Sequence, residues 1–382
     1  MSDVSKVVLI GSAFPYRGGL ASFNERLIAE YGKMGISAII YTFTLQYPSF
    51  LFPGKTQYSE SVNPDNLIIH RKVNSINPLN WIKVGRELKE LAPELLLFKY
   101  WLPFMGPCFG TIARIVKKNK KTKIISILDN IIPHEKRIGD NIFTKYFVKS
   151  IDGFIGMSKT VIADLDSFTT TKPRLLNPHP LFDNFGPIIS KEKAKKLLLL
   201  DSNKKYILFF GIVRDYKGLD LLLDAFQDER IKELDLNLII AGEFYGDSDK
   251  YIKKIEQLEL KNNIIHHAKF IKDEKVVNYF CAVDLVVQPY KHATQSGITQ
   301  IAFHFNKPMV VTDVGGLAEI VPNDKVGYVV DPLPEKIAEA INNFFVLKKE
   351  KEFVDNIVTH KKKFSWDRFV KSISEIKNQI QV

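Results

Sequence analysis

Short apolar runs of strand length alternate with segments of helical period along almost the whole 382-residue chain. That alternation narrows the fold more than any other feature, because parallel strands need helical crossovers and those helices cover both faces of the sheet. In the first half the runs are Val7–Ile10, Ser37–Phe43, Leu95–Phe98, Ile124–Leu128 and Phe154–Met157. Helical segments lie at Leu20–Met34, Trp81–Leu91, Phe109–Lys117 and Lys159–Asp166. The pattern breaks at Asn177-Pro178-His179-Pro180 and Gly186-Pro187, passes a Lys-rich helix, and restarts at Tyr206–Phe210. Leu236–Ala241, Ile264–His266, Leu285–Gln288, Met309–Thr312 and Tyr328–Val330 follow. The expectation is α/β, with two doubly wound domains at residues 1–182 and 204–364 and a linker at 183–203. Ligands of such sheets bind beyond the carboxyl ends of the strands, so the cleft between the domains is the first place to look.

A composition of 45% hydrophobic and 25% charged residues excludes disordered, collagen-like and coiled-coil chains. The uncharged stretch Tyr100–Ala113 contains Pro103 and Pro107 and is too short to span a bilayer. Lys6 followed by Val7–Gly11 and Phe14-Pro15-Tyr16-Arg17 reads as a buried strand and loop rather than a signal peptide. Two cysteines, Cys108 and Cys281, make neither a disulfide framework nor a metal cage, and a reducing cytoplasm is the expected location. The net charge of +11 is uneven: residues 1–182 carry 24 Lys and Arg against 14 Asp and Glu, whereas the rest is nearly balanced. Much of the excess falls between Arg114 and Lys123. The run reads either as a solvated helix end or as a peripheral contact with an anionic membrane. No basic strip with interleaved aromatics appears, so nucleic acid is not an expected partner.

Four strand-to-helix loops carry the residues suited to chemistry. Gly11 to Gly19 follows the first run, and its paired Gly18-Gly19 lets a ligand approach a helix start where free N–H groups favour an anion. The G-x-G-x-x-G spacing of dinucleotide sites is absent. After Tyr206–Phe210 comes Gly211-Ile-Val-Arg214-Asp-Tyr-Lys217-Gly218. Arg offers a planar fork and Lys a point charge, a pair fitted to a diphosphate, the alternative being an ion pair of Arg214 with Asp215 or Asp220. Thr294-Gln295-Ser296-Gly297 opens the next apolar helix as a second grip on phosphate or as a plain N-cap. Gly315-Gly316-Leu-Ala-Glu319 repeats the arrangement, with one carboxylate that would bond a ligand hydroxyl or complement the dipole.

The order of these motifs resembles the retaining nucleotide-sugar glycosyltransferases of family 4, which have the two-domain GT-B fold. The matching pieces are Phe14-Pro15…Gly18-Gly19, Phe210-Gly211…Lys217-Gly218-Leu-Asp-Leu-Leu, Ala241-Gly242-Glu243, Asp284-Leu-Val-Val-Gln-Pro289, Lys307-Pro308…Gly315-Gly316-Leu-Ala-Glu319-Ile-Val and Gly327-Tyr-Val-Val. The Ala-Thr-Gln-Ser-Gly form resembles a divergent branch of that family. The resemblance implies that Gly18, Gly19, Arg214, Lys217, Glu243, Thr294, Gln295, Ser296, Gly297 and Glu319 hold a UDP- or GDP-linked sugar, with no metal and no further cofactor. It also implies that the helix at 365–382 packs back on the first domain. Two glutamates common in the family would fall on Ala293 and Ile301, so Gln300 and Glu319 are the polar groups nearest in sequence to replace them.

The family often has a His soon after the strand corresponding to Ile124–Leu128, near the reacting carbon. Here Ile124–Leu128 ends in Asp129, with His134-Glu135 further along the loop, and a carboxylate beside an imidazole suits acid/base or charge-stabilising work. Gln46, Tyr47 and Lys55 lie in a long aromatic and polar loop suited to an acceptor. The expectation is transfer of a sugar, with retention, from a nucleotide diphosphate sugar to a glycan or lipid-linked hydroxyl, as in bacterial surface polysaccharide assembly. The rival readings are a sugar-nucleotide epimerase of the same fold and a non-catalytic nucleotide-sugar-binding partner subunit. The expected location is cytoplasmic, peripheral at the inner face of the membrane.

Overall fold

In the computed structural model, residues 6–48, 56–59, 64–133, 137–245, 248–293 and 296–380 are described. The chain forms two compact units, Met1–Pro180 together with Phe364–Val382, and Leu181–Lys363.

The first unit holds seven strands: β1 (Lys6–Ile10), β2 (Ser37–Leu45), β3 (Ile68–Asn74), β4 (Leu95–Tyr100), β5 (Lys123–Leu128), β6 (Gly153–Gly156) and β7 (Arg174–Leu176). They lie in the order β3-β2-β1-β4-β5-β6-β7, all parallel. Every residue of β4 is buried, as expected of a strand covered on both faces. The helix Gly19–Lys33 turns Phe23, Leu27, Ile28 and Tyr31 inward at helical spacing. The C-terminal helix Trp366–Gln379 packs in this unit: its N-cap Ser365 accepts from the Arg368 N–H, and Trp366 and Phe369 close on Phe23 with ring centroids 5.2 and 5.6 Å away.

Three elements lie outside the predicted pattern. Edge strands β3 and β7 are half-exposed and carry His70, Arg71, Lys72 and Arg174 where an interior strand would be apolar. The helix Asp140–Ser150 is rich in β-branched and aromatic residues, which propensity alone assigns elsewhere.

The second unit holds β8 (Lys205–Phe210), β9 (Leu236–Ala241), β10 (Ile264–His267), β11 (Leu285–Gln288), β12 (Met309–Thr312) and β13 (Gly327–Val330). Their order is β10-β9-β8-β11-β12-β13, again all parallel. The helix Lys191–Leu197 precedes them, and Lys191 ties it to Asp284 and Glu350, each at 2.7 Å. Both sheets therefore have two-way winding about their first strand, the topology of paired Rossmann-like domains. Among the described residues no helix is long and apolar enough to cross a membrane.

Candidate active site

In a doubly wound sheet the strand order reverses at one place, and the loops leaving the carboxyl ends there diverge and leave a crevice. For the second unit that place is between β8 and β11. Backbone packing draws its loops together. Gly218 has φ +67°, and a Cβ there would sit 1.9 Å from the Pro289 carbonyl oxygen; a Cβ on Gly242 would sit 1.9 Å from that of Gly211. Only glycine permits approaches that close. The Val213 and Tyr245 N–H groups then cross-link the loops after β8 and β9, donating to the Glu243 and Val213 carbonyls, while the Lys291 N–H donates to the Tyr216 carbonyl at 2.7 Å.

Arg214 and Lys217 lie on this loop. Their neighbouring carboxylates are engaged elsewhere: Asp215 pairs with Lys250 and Lys291 at 2.7 and 3.3 Å, and Asp220 pairs with Lys291 at 2.8 Å. Among the described residues neither Arg214 nor Lys217 makes an ion pair with a carboxylate. Instead the two cations stand over aromatic rings, Arg214 over Tyr245 at 5.3 Å and Lys217 over Tyr290 at 5.4 Å. Burial, with Arg214 nearby, holds the Lys217 ammonium below its ordinary pKa. Two uncompensated cations in a crowded loop are what an anion would stabilise.

Ser296 is buried and caps the helix Gly297–His304, its Oγ accepting from the Ile298 N–H at 3.2 Å and lying 3.3 Å from the Tyr290 hydroxyl. A Cβ on Gly297 would press to 2.7 Å from the Phe182 ring. Glu243 is buried after β9, and Glu319 is exposed on the short helix Leu317–Ile320. Gln300, on the Ser296-capped helix, is fully buried, and neither of its amide atoms has a partner among the described residues. Ile301 is in the core. Thr294 and Gln295 lie outside the described residues.

The first unit reverses between β1 and β4. A Cβ on Gly11 would collide with Asn24 Nδ2 at 2.5 Å, so the loop after β1 runs tight against the helix Gly19–Lys33. Arg17 fastens that loop, its backbone N–H donating to the Gln57 carbonyl and its Nε to that of Thr56 at 2.9 Å. Gly18 caps the helix at φ +102° with no side-chain cap and no acidic residue in the first turn, and Gly19 is exposed. One strand beyond β4, Asp129 follows β5 with its Oδ1 3.0 Å from Lys99 Nζ. Lys99 is 1% exposed, and its Nζ stands 3.5 Å over the Phe23 ring. Sequence reasoning did not select Lys99, although a lone cation inside Leu95-Leu-Leu-Phe-Lys99-Tyr-Trp101 was signal enough.

Gln46 is buried, and Tyr47 is half-buried, its hydroxyl accepting from Trp101 Nε1 and its ring packing beside Phe104. His134, Glu135 and Lys55 lie outside the described residues. A cavity of about 690 Å³ opens among Pro133, Arg137, Asp140, Lys145 and Phe168, and Asp129 is not part of its lining. Among the described residues no group of three His, Cys, Asp or Glu side chains is placed to hold a metal ion.

Residues 190–363 match the model of the family described as glycosyl transferases group 1. The chain is 25% identical over 394 aligned positions to an uncharacterised glycosyltransferase of Methanocaldococcus jannaschii, covering 99% of both. The chain is a glycosyltransferase. Solved structures agree in fold. Sucrose-phosphate synthase of Thermosynechococcus elongatus superposes with TM-score 0.76 at 14% identity, over 98% of each chain. Anabaena HepE in complex with UDP and glucose superposes with TM-score 0.73 at 15% identity, over 98% of this chain and 100% of that one. The glycosyltransferase thus has the GT-B fold of two Rossmann-like domains, and the matched family segment takes in the loops that carry Arg214, Lys217, Ser296 and Glu319.

Proposed function

We propose that the chain moves a sugar, with retention at the anomeric carbon, from a UDP- or GDP-linked donor to a hydroxyl of a glycan or lipid-linked acceptor, as a divergent member of family 4. The observation that carries this reading is the pair Arg214 and Lys217, which among the described residues have no carboxylate partner, at the reversal point of the second sheet. Glycosyl transfer separates charge, with the sugar becoming oxocarbenium-like as the diphosphate leaves. Cations already in place, together with the N–H groups at Ser296-Gly297, stabilise the leaving anion without reorganising. HepE, of the same fold, binds UDP and glucose, which supports a nucleotide-sugar donor. Glu243, Gln300, Glu319 and the Thr294-Gln295 segment are assigned to the donor, with Gln300 supplying the amide that reads the sugar.

In the first unit, the Gly18-Gly19 turn at a helix start is assigned to an anionic group of the substrates. Asp129, paired with the buried Lys99, is assigned to the positive charge of the transition state, with His134 and Glu135 from the following loop. Gln46, Tyr47 and Lys55 are assigned to the acceptor. A basic first unit suits an anionic or lipid-linked acceptor in surface polysaccharide assembly at the inner face of the membrane.

The test is turnover with a panel of UDP and GDP sugars and simple glycoside acceptors, with the product anomer read by NMR. A product with the donor's anomeric configuration, and a fall in kcat of at least about 100-fold in Arg214→Ala/Lys217→Ala, are expected. An inverted product refutes retention. Unchanged turnover in the folded variant refutes the donor site.

A further inference from the structure

We propose that residues 137–149 of the first unit form a docking face for an anionic lipid bilayer, inserting Ile138 and Ile142 at the headgroup level. Four large apolar side chains stand out of the surface within this stretch: Ile138 is fully exposed, Ile142 72%, Phe143 38% and Tyr146 37%. A soluble surface scatters such residues singly. On the helix Asp140–Ser150, Ile142, Lys145, Tyr146 and Lys149 share one outer stripe at helical spacing, while Thr144, Phe147 and Val148 face the core. Arg137, Lys145 and Lys149 are exposed, so cations and apolar groups are interleaved.

Two acids lie near this face but outside its stripe. Asp140 accepts from the Arg137 N–H at 2.7 Å, and Asp152 pairs with Lys117. Arg114 lies 3.6 Å over the Tyr146 ring and donates to its carbonyl at 2.6 Å, which fixes the ring with a cation behind it. Apolar side chains flanked by lysine and arginine, with no free acid among the described residues of the stripe, match a bilayer interface carrying anionic headgroups.

The structure also explains why the lysine run at Arg114–Lys123 is the lesser contact. Arg114 and Lys117 are engaged as above, and Lys123 Nζ donates to the Lys377 carbonyl at 3.0 Å. Lys118, Lys120 and Lys121 remain exposed, with no large apolar group exposed among them. The proposal rests on the membrane reading given above, and vesicle binding measured without donor or acceptor separates its failure from failure of the transfer chemistry.

The test is flotation of the full chain with vesicles of phosphatidylcholine alone and with about 30% phosphatidylglycerol, at low and at 0.5 M salt. Wild type should float only with the anionic vesicles, and less at high salt. Lys145→Gln/Lys149→Gln should weaken partition by roughly 25-fold, about fivefold per cation. Ile138→Ser/Ile142→Ser should weaken it at least tenfold, while Lys118→Gln/Lys120→Gln/Lys121→Gln changes it less than either. Far-UV circular dichroism and Tm confirm that each variant is folded, and since the exchanged side chains are exposed none should unfold. Absence of wild-type flotation, equal binding of the Ile138→Ser/Ile142→Ser variant, or dominance of the Lys118–Lys121 set would overturn the proposal. So would a dimer in sedimentation that the Ile138→Ser/Ile142→Ser exchange dissolves, which would make a second copy the occupant.

Discussion

Replacing Arg214 and Lys217 together by alanine should leave the unliganded protein as stable as before while removing its response to a nucleotide. Among the described residues neither side chain is in an ion pair, so truncation strands no buried carboxylate. Two long cation–ring approaches are lost, each worth about 0.5–1 kcal/mol, and the repulsion between two neighbouring cations is relieved. The apo Tm should therefore stay within about 2 °C. For wild type, a nucleoside diphosphate at about 100 times its Kd stabilises by about 2.7 kcal/mol. For a folding unit of roughly 150–250 residues this is a shift of about 5–10 °C. Losing two charge-assisted hydrogen bonds, at about 1.5–3 kcal/mol each, raises Kd by roughly two to four orders of magnitude. The same concentration then stabilises by about 0.4 kcal/mol or less, a shift under about 2 °C. Differential scanning fluorimetry with UDP, GDP, ADP and CMP reads both effects. A drop of more than about 5 °C in the apo Tm would show that the two cations are structural. An undiminished ligand shift would show that the phosphate sits elsewhere.

Lys99→Met leaves the Asp129 carboxylate buried without its cation, so urea unfolding should report a loss of about 3–5 kcal/mol. Lys99→Met/Asp129→Asn should recover at least half of it; additive losses would mean that the two groups do not interact. Burial pushes His179 down to about 3, with Nδ1 2.6 Å from the Pro180 carbonyl oxygen. Its neutral form contributes stability that is present above the unfolded pKa of about 6.5 and is lost as pH falls toward 3. Unfolding of the first unit should weaken by about 2 kcal/mol between pH 7.5 and 5, and His179→Gln should flatten that slope. Because Gln300 is buried and its amide atoms have no partner among the described residues, Gln300→Leu should raise apo stability by about 1 kcal/mol yet lower kcat/KM by tenfold or more. A variant that is destabilised and fully active would make the amide structural.

Each of the eleven strands read from the sequence appears in a sheet, the edge strands β10 and β13 included, because no Lys, Arg, Asp or Glu interrupts the runs read. Edge strands β3 and β7 escaped because one side of an edge strand meets solvent, so His70, Arg71, Lys72 and Arg174 interrupt the apolar signal. The helix Asp140–Ser150 escaped because Ile142, Phe143 and Tyr146 stand exposed on its outer side beside Lys145 and Lys149, which blurs the apolar pattern of the buried face. The loop after β8 was legible as a place for two cations since Gly211, Arg214, Lys217 and Gly218 fall within eight positions of sequence. Lys99 was not read as Asp129's partner, because strand pairing rather than chain proximity brings them together.

By itself the sequence determined two doubly wound α/β domains and which loops carry glycines and cations at strand ends, because apolar periodicity and local glycine and cation spacing are properties of short segments. The tertiary structure alone decided which charges are already neutralised. Asp215 and Asp220 turn to Lys250 and Lys291, Lys99 closes on Asp129, and Arg114 stacks on Tyr146. Whether a cation is available to a ligand depends on distances between groups far apart in the chain, and those distances are set by packing.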